Sequence, residues 1–390
     1  MNMTSKPFTA LTERYGKPLI IFAWLCSTLL YLNIFGLVTH MEAGKYIEEA
    51  ERFVKNGAFS APRYWFYSVT LFIMILALKL KIGMTGAFII QALLNLFAYL
   101  LFYKALKKIF KNPATALLVI IYLLAFWFYQ NWIVFLYTES AFFSLVLILF
   151  SVTVLYKPTS VKNLLLLGSC LLLLILSRPL GILFAGSVYL YLFYCASKKW
   201  KIILAACSVL LIAAAYFSIN AVFSSLSDWR ITQAFEQESI ICDLPAAGPY
   251  QKLDLAPGGT PVYHLWYYLT HNFSHFIHFA GVKLQYFFLM TRTYYTNGHN
   301  YFLLLNMVLL YLLAAIGFFF KHPVFRREIA VFLLGTILLY ALTIIFQCDD
   351  YHNRFVLSIF PFFVILAART VDYFASGLFK YKKEAARAEV

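Results

Sequence analysis

Apolar residues run almost unbroken through most of this chain, and short clusters of lysine and arginine interrupt them. Several runs reach the roughly 20 residues that cross a bilayer as a helix. The runs predict membrane-crossing helices over 18–39, 84–103, 113–131, 140–156, 163–177, 180–196, 201–220, 301–320, 329–346 and 355–374. A transmembrane β-barrel is excluded, because its strands would alternate polar and apolar positions. The fold class expected is an all-α polytopic membrane protein of about 10 helices, forming a single membrane-embedded domain over 1–390.

The basic clusters set the expected sidedness. Lys6, Arg14 and Lys17 precede the first run, and Lys380, Lys382 and Lys383 follow the last, so both termini read as cytoplasmic. The stretch Phe66–Leu80 is apolar enough for a short span. If it crossed, Lys104, Lys107, Lys108 and Lys111 would land outside, against the positive-inside bias. It therefore reads as an interfacial or re-entrant helix within an external loop over 40–83. Residues 221–300 form the one long polar stretch and read as a second external loop. A third, 347–354, shares that side, while 104–112 and 321–328 face the cytoplasm.

Composition agrees with the pattern. The chain is 62% hydrophobic and only 13% charged, whereas an ordinary soluble domain is about a quarter charged. A net charge of +15 would suit nucleic acid, but the basic residues sit between spans, so no nucleic-acid partner is expected. No cleavable signal-peptide pattern is visible. Among the cysteines, Cys26, Cys170, Cys195 and Cys207 fall in apolar runs and read as small core residues. Cys242 and Cys348 fall in external segments, where they either pair or remain free thiols.

With this topology the unusual polar groups collect at the external rim. Glu42 follows the first span and opens an amphipathic segment, Glu42-Ala43-Gly44-Lys45-Tyr46-Ile47-Glu48-Glu49-Ala50, with Gly57 soon after. Glu139 lies in Tyr137-Thr138-Glu139-Ser140, and Arg178 in Ser177-Arg178-Pro179-Leu180-Gly181. The last group is Asp349-Asp350-Tyr351-His352-Asn353-Arg354-Phe355. Carboxylates at a membrane boundary are costly to place and mark candidate sites. Acids and arginines together suit a lipid phosphate and a sugar. Arginine stabilises an anionic leaving group through charge-assisted hydrogen bonds, and a carboxylate deprotonates the attacking hydroxyl.

The acidic-x-x-x-Tyr-x-x-x-Ala pattern at Glu42 resembles the first external loop of the GT-C glycosyltransferases, in which this acid, more often Asp, is the catalytic base. Tyr137-Thr138-Glu139-Ser140 looks like their second acidic loop. Ser177-Arg178-Pro179-Leu180-Gly181 resembles an Arg-Pro-x-Gly element of mannosyltransferase-like members. His352-Asn353-Arg354-Phe355 with Pro361 is similar to a late Arg-Tyr…Pro segment, with Phe355 in place of Tyr. The resemblance implies an inverting transfer of sugar from a polyprenyl-phosphate donor to an acceptor hydroxyl, which belongs to a lipid, a glycan or a protein. Glu42 and Glu139 are then the catalytic candidates. Arg354, Arg178, His352 and Tyr351 are the candidates for the donor phosphate.

Each residue also has a plainer reading. Glu42 and Glu139 suit helix N-termini, Arg178 and Arg354 suit snorkelling to headgroups, and Asp349 and Asp350 suit a solvated loop. His271, His275 and His278 share one face if a single helix carries them, which makes His271 and His275 weak metal candidates beside Asp349 and Asp350. A divalent cation held by acids and a donor phosphate is a further expectation. The competing function is a transporter or flippase for a lipid-linked glycan. That reading needs polar groups near the bilayer midplane, where these runs are apolar. A non-catalytic assembly subunit is the third. Low charge and lysine-rich loops fit a bacterial inner membrane, with the active site on the non-cytoplasmic side; an endoplasmic reticulum protein would share the same physics.

Overall fold

The computed structural model describes residues 6–225, 230–242, 244, 252–319 and 325–388. The topology anchor Lys321 lies outside them, as do parts of the 221–300 loop. In chain order the helices are α1 (Lys6–Phe35), α2 (Glu42–Asn56), α3 (Ser68–Lys79), α4 (Gly83–Ile109), α5 (Pro113–Ala125), α6 (Trp127–Gln130), α7 (Thr138–Leu155) and α8 (Val161–Ile175). There follow α9 (Ile182–Cys195), α10 (Lys198–Ser225), α11 (Gln233–Glu236), α12 (Pro261–His271), α13 (Phe273–Leu289), α14 (Asn297–Phe319), α15 (Arg327–Phe346) and α16 (Arg354–Ala388). Among the described residues there are no strands, only isolated β-bridges.

The chain is a multi-pass α-helical membrane protein. Each run read as a span is helical over most of its described residues, but among the described residues seven helices are long and apolar enough to cross a membrane, or eight if a bent pair counts as one. The bent pair is α5 with the segment Trp127–Val134, turned by 71°. The run 113–131 is thus not one straight helix. Phe126 leaves helical geometry at φ −75°, ψ 94° and divides it. Helices α8 and α9 are apolar but shorter. The stretch expected to lie at the interface is the 12-residue α3.

The described residues divide into two compact bodies, and the divisions fall inside α9, α14, α15 and α16. The first body comprises 1–188, 309–333 and 357–390. Its centre is α7, buried along nearly its whole length and packed against α4 and α8. Buried polar side chains hold these helices in register. Trp24 Nε1 donates to Asn95 Oδ1 at 2.9 Å, Asn95 Nδ2 donates to Ser144 Oγ at 3.2 Å, and Tyr99 donates to Gln130 Oε1 at 2.8 Å. In an apolar medium such groups must find protein partners. Asp372 adds a buried carboxylate against the start of α5. It accepts from the backbone N–H of Lys111 and Asn112, each at 2.9 Å, and from Thr115 Oγ1 at 3.0 Å. A negative charge there complements the helix N-terminus.

The second body comprises 189–308 and 334–356. Its small aromatic core is Phe235, Tyr268 and Phe279. Cys242 and Cys348 form a disulfide, with a sequence separation of 106. The same seam carries backbone pairing: Asp349 N donates to Ile240 O at 2.8 Å, and Cys242 N to Asp349 O at 2.9 Å.

Candidate functional site

Glu42, Glu139 and Arg178 all lie in the first body, and backbone hydrogen bonds bring their segments to one end of it. Gln91 Nε2 on α4 donates to Ile133 O and Phe135 O at 3.2 and 3.0 Å, which fixes the turn ahead of α7. Val38 then pairs with that turn: Val38 N donates to Val134 O at 3.0 Å, and Leu136 N to Val38 O at 3.1 Å. This parallel bridge aligns the approach to Glu42 with the approach to Glu139. The Arg178 segment is tied in from α3, where Val69 N donates to Leu176 O at 3.2 Å. Gly181 is obligatory there. A Cβ on it would lie 2.4 Å from the Leu174 carbonyl oxygen.

Both acids sit in the first turn of their helices, where the helix dipole favours a carboxylate. Helix α2 is amphipathic, with Ala43, Tyr46, Glu49 and Ala50 on its buried face. It ends at Gly57 in the left-handed region, φ 76°, as helix C-termini commonly do. Immediately before Glu42, Met41 adopts φ 57°, ψ −120°. A non-glycine residue there stores local strain, of the kind that collects at functional sites.

The two carboxylates differ in their surroundings. Glu139 is completely buried and ion-paired with Arg178, which is itself only 7% exposed. The Arg178 guanidinium also lies over the Phe142 ring, 6.0 Å from its centroid. Glu42 is half-buried and accepts a hydrogen bond from Tyr46 Oη at 2.9 Å. Tyr46 is within electrostatic reach of all three charged groups. Burial pushes its hydroxyl far above the ordinary tyrosine range, Glu42 and Glu139 push the same way, and Arg178 opposes them. Its phenol therefore stays protonated and serves Glu42 as a donor. Sequence reasoning used Tyr46 only as a marker of the loop pattern, and its position one helical turn past Glu42 was the available signal.

The remaining candidates lie in the second body. Arg354 Nη1 is 3.9 Å from Asp350 Oδ2, and Asp350 Oδ1 accepts from Tyr351 N at 2.8 Å. His352 N donates to Tyr294 Oη at 3.1 Å. His352 and Asn353 both take positive φ, 56° and 62°, directly before Arg354. Asp349 is not a solvated loop acid. It is buried at 2% exposure and ion-paired with Arg292, because the bridge to Ile240 and Cys242 turns it inward. Burial pushes its carboxyl up to about 6, against the pull of the guanidinium. Arg292 was missed because it lies in the long polar stretch, which has no helical period to orient a side chain.

The histidines do not share one helix face. Asn272 breaks the segment between α12 and α13, and its side chain exchanges hydrogen bonds with Asp254, donating to Asp254 O at 2.7 Å and accepting from Asp254 N at 2.9 Å. His271 stacks on Tyr267 at 3.7 Å. His275 is bonded to Tyr268 Oη at 2.7 Å and to Glu238 at 3.2 Å. Among the described residues, no group of three or more His, Cys, Asp or Glu side chains is placed to hold a metal ion. Lys283, also unforeseen, is buried between Phe235 and Phe279, with Nζ 4.7 and 4.4 Å from the ring centroids. Burial lowers its pKa to about 7.

No protein-family model, no curated protein and no solved structure matches this chain.

Proposed function

We propose that this chain is an inverting membrane glycosyltransferase that uses a polyprenyl-phosphate-linked sugar, with its site on the non-cytoplasmic side of a bacterial inner membrane. The observation that carries the reading is the grouping of Glu42, Tyr46, Glu139 and Arg178 at one end of the first body.

Glu42 is the general base. It takes the proton from the acceptor hydroxyl as the hydroxyl oxygen bonds to the anomeric carbon. The bond from that carbon to the phosphate oxygen breaks, and its electron pair leaves with the polyprenyl phosphate. Tyr46, donating to one carboxylate oxygen, holds Glu42 in one orientation. Glu139 is less suited to meet an acceptor hydroxyl, because it is completely buried and already ion-paired with Arg178. The Glu139–Arg178 pair serves as a positioning unit. On the sequence resemblance, Arg354 is assigned to the donor phosphate, with His352 and Tyr351 beside it in sequence. The disulfide supports a non-cytoplasmic assignment for the second body, since such bonds persist in oxidising compartments.

The test is transfer itself. Purified chain in proteoliposomes is supplied with radiolabelled polyprenyl-phosphate hexose and a membrane glycan extract. The reading predicts release of polyprenyl phosphate together with label in the acceptor fraction. Release of neither, from protein that retains its fold, contradicts it.

A further inference from the structure

An open cleft of about 470 Å³ lies in the second body, between the end of α13 and the start of α14. That volume falls within the roughly 300–1,000 Å³ of small-molecule sites. Its lining combines side-chain amides, Gln285 and Asn297, with three tyrosines, Tyr286, Tyr295 and Tyr301. Tyr301 is 65% exposed.

The floor is constructed rather than incidental. Arg292 lines the cleft at 1% exposure, and its guanidinium is held in place by the protein. Nη1 donates to Tyr286 O and Thr291 O, each at 2.9 Å, and Nη2 binds Asp349. Asn300 clamps the same residue from the backbone, accepting from Arg292 N and donating to Arg292 O, each at 2.9 Å. Nε of Arg292 is buried with no hydrogen-bond partner.

The charge balance selects the ligand. Asp349 already neutralises Arg292, and no lining residue besides Arg292 is ionic. A phosphate would gain little here. A neutral polyhydroxylated ring would gain more, since amides and hydroxyls match its hydroxyl groups and tyrosine rings offer amphipathic faces to its C–H surface. We infer that this cleft binds a neutral hexose unit. The choice of hexose among neutral polyols rests on the sugar-transfer reading; the cleft and its polarity do not. The hexose belongs either to the lipid-linked donor or to a glycan acceptor.

Saturation-transfer NMR on the full chain in lipid nanodiscs, free of glycosidic detergents, tests the inference. The probes are methyl glycosides of neutral hexoses, with inorganic phosphate as competitor. The ring protons of at least one glycoside should saturate, phosphate should not displace it, and Tyr301→Ala and Asn297→Ala should each weaken binding about five-fold, as loss of one contact of about 1 kcal/mol predicts. Both variants alter rim residues, and unchanged thermal melting shows that the fold is kept. Absence of any ring-proton signal, displacement by phosphate, or binding unaffected by both variants overturns the inference. A short-chain prenyl-phosphate hexose then separates the sources. Displacement of the glycoside by it marks a donor-sugar site, and retention of both marks an acceptor site. Binding is read without turnover, so a chain that holds hexosides yet transfers nothing sinks the transferase reading alone.

Discussion

Val38 and Phe135 pair in parallel, and from each the chain reaches a carboxylate by the same number of positions, Glu42 in one case and Glu139 in the other. One bridge therefore sets the relative depth of the two acids. Each then lies in the first turn of a helix, but the helices differ. Helix α2 leaves Glu42 half-buried, while α7 carries Glu139 into a dry interior where Arg178 answers its charge. That contrast is the basis of the division of labour proposed for the two acids.

The pair should be structural first. Removing one partner of a buried ion pair leaves the other charge unanswered and costs about 3–5 kcal/mol. Arg178→Ala and Glu139→Gln should each lower the unfolding temperature markedly, and a double replacement with apolar residues should recover much of the loss. Single variants that melt like the parent would show that the pair contributes nothing to stability.

Arg354→Lys keeps a positive charge but loses the planar fork that meets phosphate oxygens in pairs. Hydrogen bonds to charged groups are worth about 1.5–3 kcal/mol, so kcat/KM for the lipid-linked donor should fall by about tenfold to a hundredfold. Steady-state kinetics with the donor varied measure this. A well-folded Arg354→Ala protein with unchanged response to donor removes Arg354 from the site.

Much of this arrangement was legible in the sequence. Runs of apolar residues located most of the long helices, and the amphipathic segment opened by Glu42 is helix α2. The number of spans was less legible. Residues 163–177 and 180–196 are as apolar as the others but form shorter helices, and Phe126 bends a run that reads as continuous. Periodicity also failed at Asn272, where one side chain bonding Asp254 overrides the helical spacing of His271 and His275. Arg292 and Lys283 were not found, because burial of a lone charged side chain depends on tertiary neighbours that local sequence does not specify. Cys242 and Cys348 were placed on one side by topology, and their pairing then required only proximity.

Lys283 makes the second body sensitive to pH. Its pKa falls from 10.5 in the unfolded chain to about 7 in the fold. The folded state then binds fewer protons than the unfolded state between those values, so stability falls as pH drops from about 10.5 to about 7. Below the folded pKa the loss is complete. Lys283→Met should flatten this dependence and raise the melting temperature at neutral pH. A variant with the same pH profile as the parent would mean that Lys283 is not buried as a neutral amine.

Reduction of the Cys242–Cys348 bond releases a loop spanning 106 positions. Loss of such a bond typically costs about 2–5 kcal/mol. Unfolding followed with and without a thiol reductant should show that decrease. Cys242→Ser should reproduce it and then be insensitive to reductant. Equal stability in both conditions would show that the thiols are unpaired.

Glu42→Gln tests the central claim most directly. The substitution keeps the shape and the hydrogen bond from Tyr46 but cannot accept the acceptor's proton. Turnover of polyprenyl-phosphate sugar by the purified variant should fall by about 10²–10⁴-fold, the usual cost of losing a general base, while donor affinity and melting temperature stay close to those of the parent. Near-normal turnover by Glu42→Gln, in protein that binds donor normally, would contradict the account.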